Sequence, residues 1–179
     1  MRGWVRTFLL LPALALAGSA SAEEPITVDS TGFYVELGGT GAGTLDKKDV
    51  GGGFRFQTGY RIHSFVGVEA ELEFIDDLVG GPDDDKIDVW SVGGNAKLFA
   101  PPWENGQLYA LVGAGLVSSV IEDSSDDESE FAPRFGGGLE VLVWRNLLAT
   151  VEVVYVMPTS GDLEDLDYVA AAVGLQYRF

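Results

Sequence analysis

Cysteine is absent from the 179 residues, and histidine occurs once. The first absence excludes a disulfide framework, a thiolate metal site and a thiol nucleophile. The second leaves a single imidazole for acid–base work. Basic residues are scarce: 11 Lys plus Arg stand against 28 Asp plus Glu, for a formal net charge of −17. A chain this acidic repels a phosphate backbone, so nucleic acid is excluded as a partner. Beyond the N-terminal segment, no apolar run approaches the roughly 18 residues that a membrane-spanning helix needs.

Apolar residues are nevertheless plentiful, at 46%. High apolar content separates the chain from disordered acidic segments and implies that charge and apolar surface occupy different places. Arg2 and Arg6 precede an apolar stretch, Phe8 to Ala17, that ends in Ala20-Ser21-Ala22. This is the pattern of a secretory signal peptide cleaved before Glu23. Residues 1–22 are therefore expected to be removed, leaving 23–179 as one domain. The leader carries two arginines and no acid, so its loss takes the net charge from −17 to −19.

The remainder repeats with period two. Eight segments are predicted as strands, at about 31–39, 50–62, 65–76, 87–100, 107–120, 131–143, 147–157 and 168–179. Each has the length of a tilted membrane-crossing strand. In the third, Val66, Val68, Ala70, Leu72 and Phe74 alternate with Gly67, Glu69, Glu71 and Glu73. The fifth, around Ala110 to Leu116, is apolar on both faces, and its phase is open.

Alternation alone fits a soluble lipocalin-like barrel with its apolar face inward, or a membrane barrel with that face outward. Three features favour outward. The polar face is rich in glycine, as a crowded lumen requires. Its charges nearly balance: Glu36, Glu69, Glu71, Glu73, Glu140 and Glu152 against Arg55, Arg61, Lys97, Arg134 and Arg178. Buried charges must be paired, whereas a solvated face of this protein would follow its overall acidity. Aromatic residues also gather near segment ends (Phe74, Trp90, Trp103, Trp144, Tyr155, Tyr168, Tyr177 and Phe179), as in interfacial girdles. A Glu36–Arg55–Glu71 cluster and an Arg134–Glu152 pair are expected across adjacent strands.

The connections alternate. Short, nearly uncharged links join segments two to three, four to five and six to seven. The others are longer, and three are acidic: 76–88 carries −5, 121–130 carries −6 and 158–167 carries −4. In a meander these odd links all emerge at one end, so the excess charge collects at one pole.

With the signal peptide, the eight-segment meander, the Gly113-Ala-Gly115 strand and the ending Gly174-Leu-Gln-Tyr-Arg-Phe179, the chain resembles small outer-membrane β-barrels of the outer-membrane protein A-like, opacity-type porin class. The resemblance implies an all-β, eight-stranded antiparallel up-and-down transmembrane barrel in a Gram-negative outer membrane. It also implies a monomer surrounded by lipid and lipopolysaccharide. Tyr177 and Phe179 resemble the final-strand signal read by the barrel-assembly machinery.

The chemistry-bearing motifs are sparse. His63 and Ser64 are adjacent in a short turn, where an extended backbone would point them to opposite faces, so no catalytic residue and no cofactor are expected. Gly39-Thr-Gly41-Ala-Gly43 lacks the lysine and helix start of a phosphate cradle and is read as a flexible outer loop. Asp83, Asp84, Asp85, Asp126, Asp127 and Glu128 offer hard oxygen ligands for a divalent cation, without the spacing of a dedicated site. The expected function is therefore a non-catalytic barrel with a charge-plugged lumen and acidic surface loops. A narrow cation-preferring porin is the alternative, and a soluble periplasmic binding barrel a second.

Overall fold

A computed structural model of the chain describes residues 26–44, 50–79, 86–120, 129–159 and 167–179. They form eight strands: β1 (Gly32–Thr44), β2 (Gly51–His63), β3 (Val66–Val79), β4 (Lys86–Phe99), β5 (Gly106–Val120), β6 (Ser129–Trp144), β7 (Leu147–Val156) and β8 (Tyr168–Arg178). Each strand pairs antiparallel with the next, and β8 returns to β1 through pairs such as Val35↔Tyr177 and Leu37↔Leu175. Closure removes both sheet edges, so every strand finds a backbone partner on each side. Inside a bilayer this is obligatory, because hydrocarbon offers unpaired N–H and C=O groups nothing. Among the described residues no helix is long and apolar enough to cross a membrane; the strands have that length.

Apolar side chains line the outside of the wall. Leu37, Phe56, Val68, Leu72, Val92, Val112, Val151 and Val173 are all exposed. Their alternating neighbours Glu36, Arg55, Glu69, Glu71, Lys97 and Glu152 are buried within. This is the reverse of a soluble lipocalin-like barrel and removes that alternative. The run from Val66 to Phe74, tilted as barrel strands are, spans about 23 Å along the axis, close to the lipid-facing band of outer-membrane barrels. Aromatic rings mark its borders. Phe54 and Phe74 stack with centroids 4.9 Å apart near the loop end. Phe33, Tyr177 and Phe179 cluster at the other end, with centroid separations of 5.0 and 5.6 Å. Tyr168 does not join a girdle as expected; it is fully buried inside the barrel.

The pattern inverts at the loop end. Asp76, Asp77 and Asp88 are exposed there, while Ile75, Leu78, Val89, Val117 and Val156 are buried within the barrel. A β-bulge accomplishes this on β3. Between the pairs Ile75↔Val89 and Leu78↔Ile87, two residues of β3 oppose one of β4. Asp77, at φ 59°, supplies the left-handed residue of the bulge. The extra residue shifts the phase, so Leu78 points inward like Ile75. Beyond the lipid band the barrel is thus built like a soluble protein, with its apolar side in and its acidic side out.

Two elements differ from expectation. β1 continues through Gly39–Gly43, paired to β2 by Thr40↔Gly53 and to β8 by Gly41↔Ala171; it is not a loop there. Glycines carry no alternating signal, yet their backbone completes both ladders. The open phase of β5 is settled with Gln107, Tyr109 and Leu111 inward and Leu108, Val112 and Leu116 outward.

A charge placed on the lipid side should be costly, and a change at the wet rim should not. Val112→Arg is expected to lower the unfolding free energy in lipid vesicles by about 2–4 kcal/mol. Asp88→Asn should change it by under about 0.5 kcal/mol. Denaturant titration of both variants checks this.

Candidate functional site: the barrel lumen

An eight-stranded barrel is just wide enough to be filled by its own side chains. Glycines on the inner face make that filling possible. A Cβ on Gly59 would come within 2.4 Å of the Tyr34 ring, and one on Gly138 within 2.4 Å of the Tyr109 hydroxyl. These two glycines on β2 and β6 leave room for the two tyrosines that cross the lumen.

The buried polar side chains form three tiers. Nearest the short turns, Arg61 and Arg178 share Glu140. Arg61 Nη1 lies 2.9 Å from Glu140 Oε1, and Arg178 Nη2 lies 3.2 Å from each Glu140 oxygen. Both guanidinium groups also donate to the Val28 carbonyl, at 2.7 and 2.6 Å. Arg61 donates further to Gln107 and to the Ser64 carbonyl, with its guanidinium 3.9 Å over the Phe99 ring. Two cations thus face one carboxylate, and backbone carbonyls accept the remaining donors. The segment before β1 is thereby drawn across this end of the lumen, with Val28 buried.

In the middle tier Arg55 bridges Glu36, at 3.0 Å, and Glu152. Lys97 Nζ bridges Glu69 at 2.7 Å and Glu152 at 3.3 Å. Neutral donors complete the carboxylates: Tyr34 to Glu69 at 3.0 Å, Tyr109 to Glu152 at 2.6 Å, Asn95 to Glu69 at 2.9 Å and Thr150 to Glu36 at 2.9 Å. In the outer tier Arg134 pairs with Glu71 at 2.5 Å and lies 3.8 Å from Glu73. Gln57 donates to Glu71 at 2.6 Å, and Thr40 to Glu73 at 3.0 Å. Charge-assisted bonds of this kind are the strong ones, and for side chains buried this deeply they offset the cost of desolvation.

The pairing differs in part from the expected one. Glu36 and Arg55 meet, but Glu71 is held by Arg134, and Arg134 does not pair with Glu152. The reason is that Arg and Lys side chains reach across a lumen this narrow. Arg55 on β2 crosses to Glu152 on β7, so height along the axis selects partners more than strand adjacency does. Tyr34, Gln57, Asn95, Gln107 and Tyr109 were missed as members of the network. For Tyr34, Gln57 and Asn95 the inward phase of their strands was the available signal; for Gln107 and Tyr109, on β5, the phase was open.

Other candidates sit elsewhere. Ser64 Oγ lies 3.1 Å from His63 Nδ1, contrary to the expected opposite facing, because the chain turns there. The pair is exposed, and the His63 ring packs on Phe65 with centroids 4.2 Å apart. Tyr177 and Phe179 lie on the lipid-facing wall, their rings 5.0 Å apart. Asp83, Asp84, Asp85, Asp126, Asp127 and Glu128, like the leader 1–22, lie outside the described residues. Among the described residues no group of three His, Asp or Glu side chains converges as a metal site.

A closed meander, apolar outside and ion-paired within, defines the class of outer-membrane β-barrels. The chain belongs to the outer membrane protein beta-barrel domain family, whose model it matches over residues 8–179. No curated protein sequence matches it. Among solved structures it is similar to Neisserial surface protein A at 15% identity and TM-score 0.69, covering 82% of this chain and 97% of that one. It is similar to Ail of Yersinia pestis at 19% identity and TM-score 0.57, covering 84% and 100%. The N-terminal barrel domain of Pseudomonas aeruginosa OprF follows at 14% and 0.60, covering 84% and 100%. At such identities the likeness shows a shared fold.

Removing a bridging cation should unbalance the middle tier. Arg55→Met leaves Glu36 and Glu152 short of a partner and is expected to cost about 3–5 kcal/mol of stability. Adding Glu36→Gln to that variant should recover part of the loss. Unfolding midpoints of the two variants in detergent micelles measure the difference.

Proposed function

We propose that the protein is exported by its leader and inserted by the barrel-assembly machinery, with Tyr177 and Phe179 contributing to recognition. In the outer membrane it serves as a monomeric, non-catalytic barrel that contacts the cell's surroundings through its acidic loops. The lumen carries this reading: each of Arg55, Arg61, Lys97, Arg134 and Arg178 is buried and ion-paired. No continuous water path is expected through such a network. Catalysis gains no support from the one histidine, which sits in an exposed turn.

The partner class follows from charge. The stretches 76–88, 121–130 and 158–167, which span the outer loops and the strand ends beside them, hold −15 of the mature −19, with Glu130 alone among the described acids there turned inward. Ail has been solved with the heparin analogue sucrose octasulfate; the pole of this protein would repel such a polyanion. Cationic surfaces, and divalent ions bridging to lipopolysaccharide phosphates, suit it better.

A narrow cation-preferring pore is the second reading, favoured by seven buried glutamates against five buried cations among the described residues. Planar-bilayer recording separates the two. The purified protein is expected to add no stable conductance above the bare bilayer. A reproducible open state with cation selectivity would establish the pore instead.

A further inference from the structure

The negative charge of the lumen is unevenly spread. The tier at the short turns carries Arg61 and Arg178 against Glu140. The middle tier carries Glu36, Glu69 and Glu152 against Arg55 and Lys97, and the outer tier Glu71 and Glu73 against Arg134. Arg134 is committed to Glu71 at 2.5 Å and stands 3.8 Å from Glu73 Oε2, beyond a hydrogen bond. Thr40 occupies the other Glu73 oxygen.

Several buried oxygens on this side of the lumen are left over. Glu73 Oε2, Ser91 Oγ and Tyr168 Oη are among those with no hydrogen-bond partner among the described residues. All three side chains are at least 97% buried. Glu73 and Ser91 are register partners on β3 and β4 and face the same side. Tyr168, on β8 across the lumen, lies near Ser91, Glu73 and Arg134 without closing a hydrogen bond of normal geometry. The apolar layer of Ile75, Val89 and Ala132 lies on their loop side. One carboxylate oxygen and two hydroxyl oxygens, all on buried side chains, therefore lie at a level where Glu71 and Glu73 outnumber Arg134.

We propose that Glu73, Ser91 and Tyr168 form a binding site for one monovalent metal cation, of the sodium or potassium class. All-oxygen donors suit a hard cation, and a single positive charge cancels the excess that Glu71, Glu73 and Arg134 leave. A divalent ion would overshoot it beside the Arg134 guanidinium. The apolar layer shields the site from the outer mouth, so the ion exchanges slowly and acts as a structural counter-ion.

The test uses the full barrel crystallised with thallium(I), whose anomalous scattering distinguishes it from water. One peak is expected between Glu73, Ser91 and Tyr168, absent in Glu73→Gln and weakened in Ser91→Ala, which leaves every charge in place. In solution, the unfolding midpoint of the native chain should be higher in potassium chloride than in choline chloride at equal ionic strength. Ser91→Ala, folded by the criterion of heat-modifiable gel migration, should lose most of that difference. No thallium peak would overturn the proposal, as would a peak that survives Glu73→Gln. A protonated-carboxyl infrared band that disappears in Glu73→Gln, with no thallium peak, would overturn it in favour of a bound proton.

Discussion

A charge inside a narrow closed wall has no bulk water to return to, so another side chain must neutralise it. That requirement orders the interior of this protein. Leaving any one of five buried cations unpaired would remove a large share of a typical domain's stability, whereas a satisfied network is close to neutral in energy. The bridges are shared: Arg55 and Lys97 both hold Glu152, and Arg61 and Arg178 both hold Glu140. Shared partners tie β2, β4, β6, β7 and β8 together through the centre, independently of the backbone ladder.

The wall obeys a complementary constraint. Lipid accepts no polar backbone group, so the ladder has to close, and β8 returns to β1. The outward positions follow the medium at each height. They are aliphatic at mid-wall and aromatic at the borders, and beyond Phe74 they become aspartate. The bulge at Asp76–Asp77 lies where the medium changes. It moves Leu78 to the inside just where the outside turns acidic. The lumen is consequently closed by two different materials, ion pairs below and packed apolar side chains near the loops.

The wall was more legible in the sequence than the lumen. In β3 the Glu69–Glu71–Glu73 series against Val68–Ala70–Leu72–Phe74 reads directly as two faces, because a strand alternates strictly. The β5 phase was hidden because Tyr109 and Leu111 fill the lumen beside Leu108 and Val112 on the lipid side, so both faces are apolar. The outer half of β1 was hidden because Gly39, Gly41 and Gly43 have no side chain to alternate. Tyr168 read as a girdle residue because a tyrosine at a strand end carries no mark of direction until the strand's phase is extended to it. Specific ion pairs were the least legible. Which of Glu71 or Glu152 meets Arg134 depends on the stagger of strands around the barrel and on reach across it, and neither is written in local pattern.

The central claim is that aliphatic side chains face acyl chains while ionised ones neutralise each other within. The native chain lacks cysteine, so single fluorescent labels can be placed at Leu72, Val173 or Asp76 without background. Quenching by brominated lipid in reconstituted vesicles tests the orientation most directly. Strong quenching is predicted at Leu72 and Val173, with aqueous iodide reaching only Asp76. Iodide quenching at all three positions, with no effect of brominated lipid, would contradict the account.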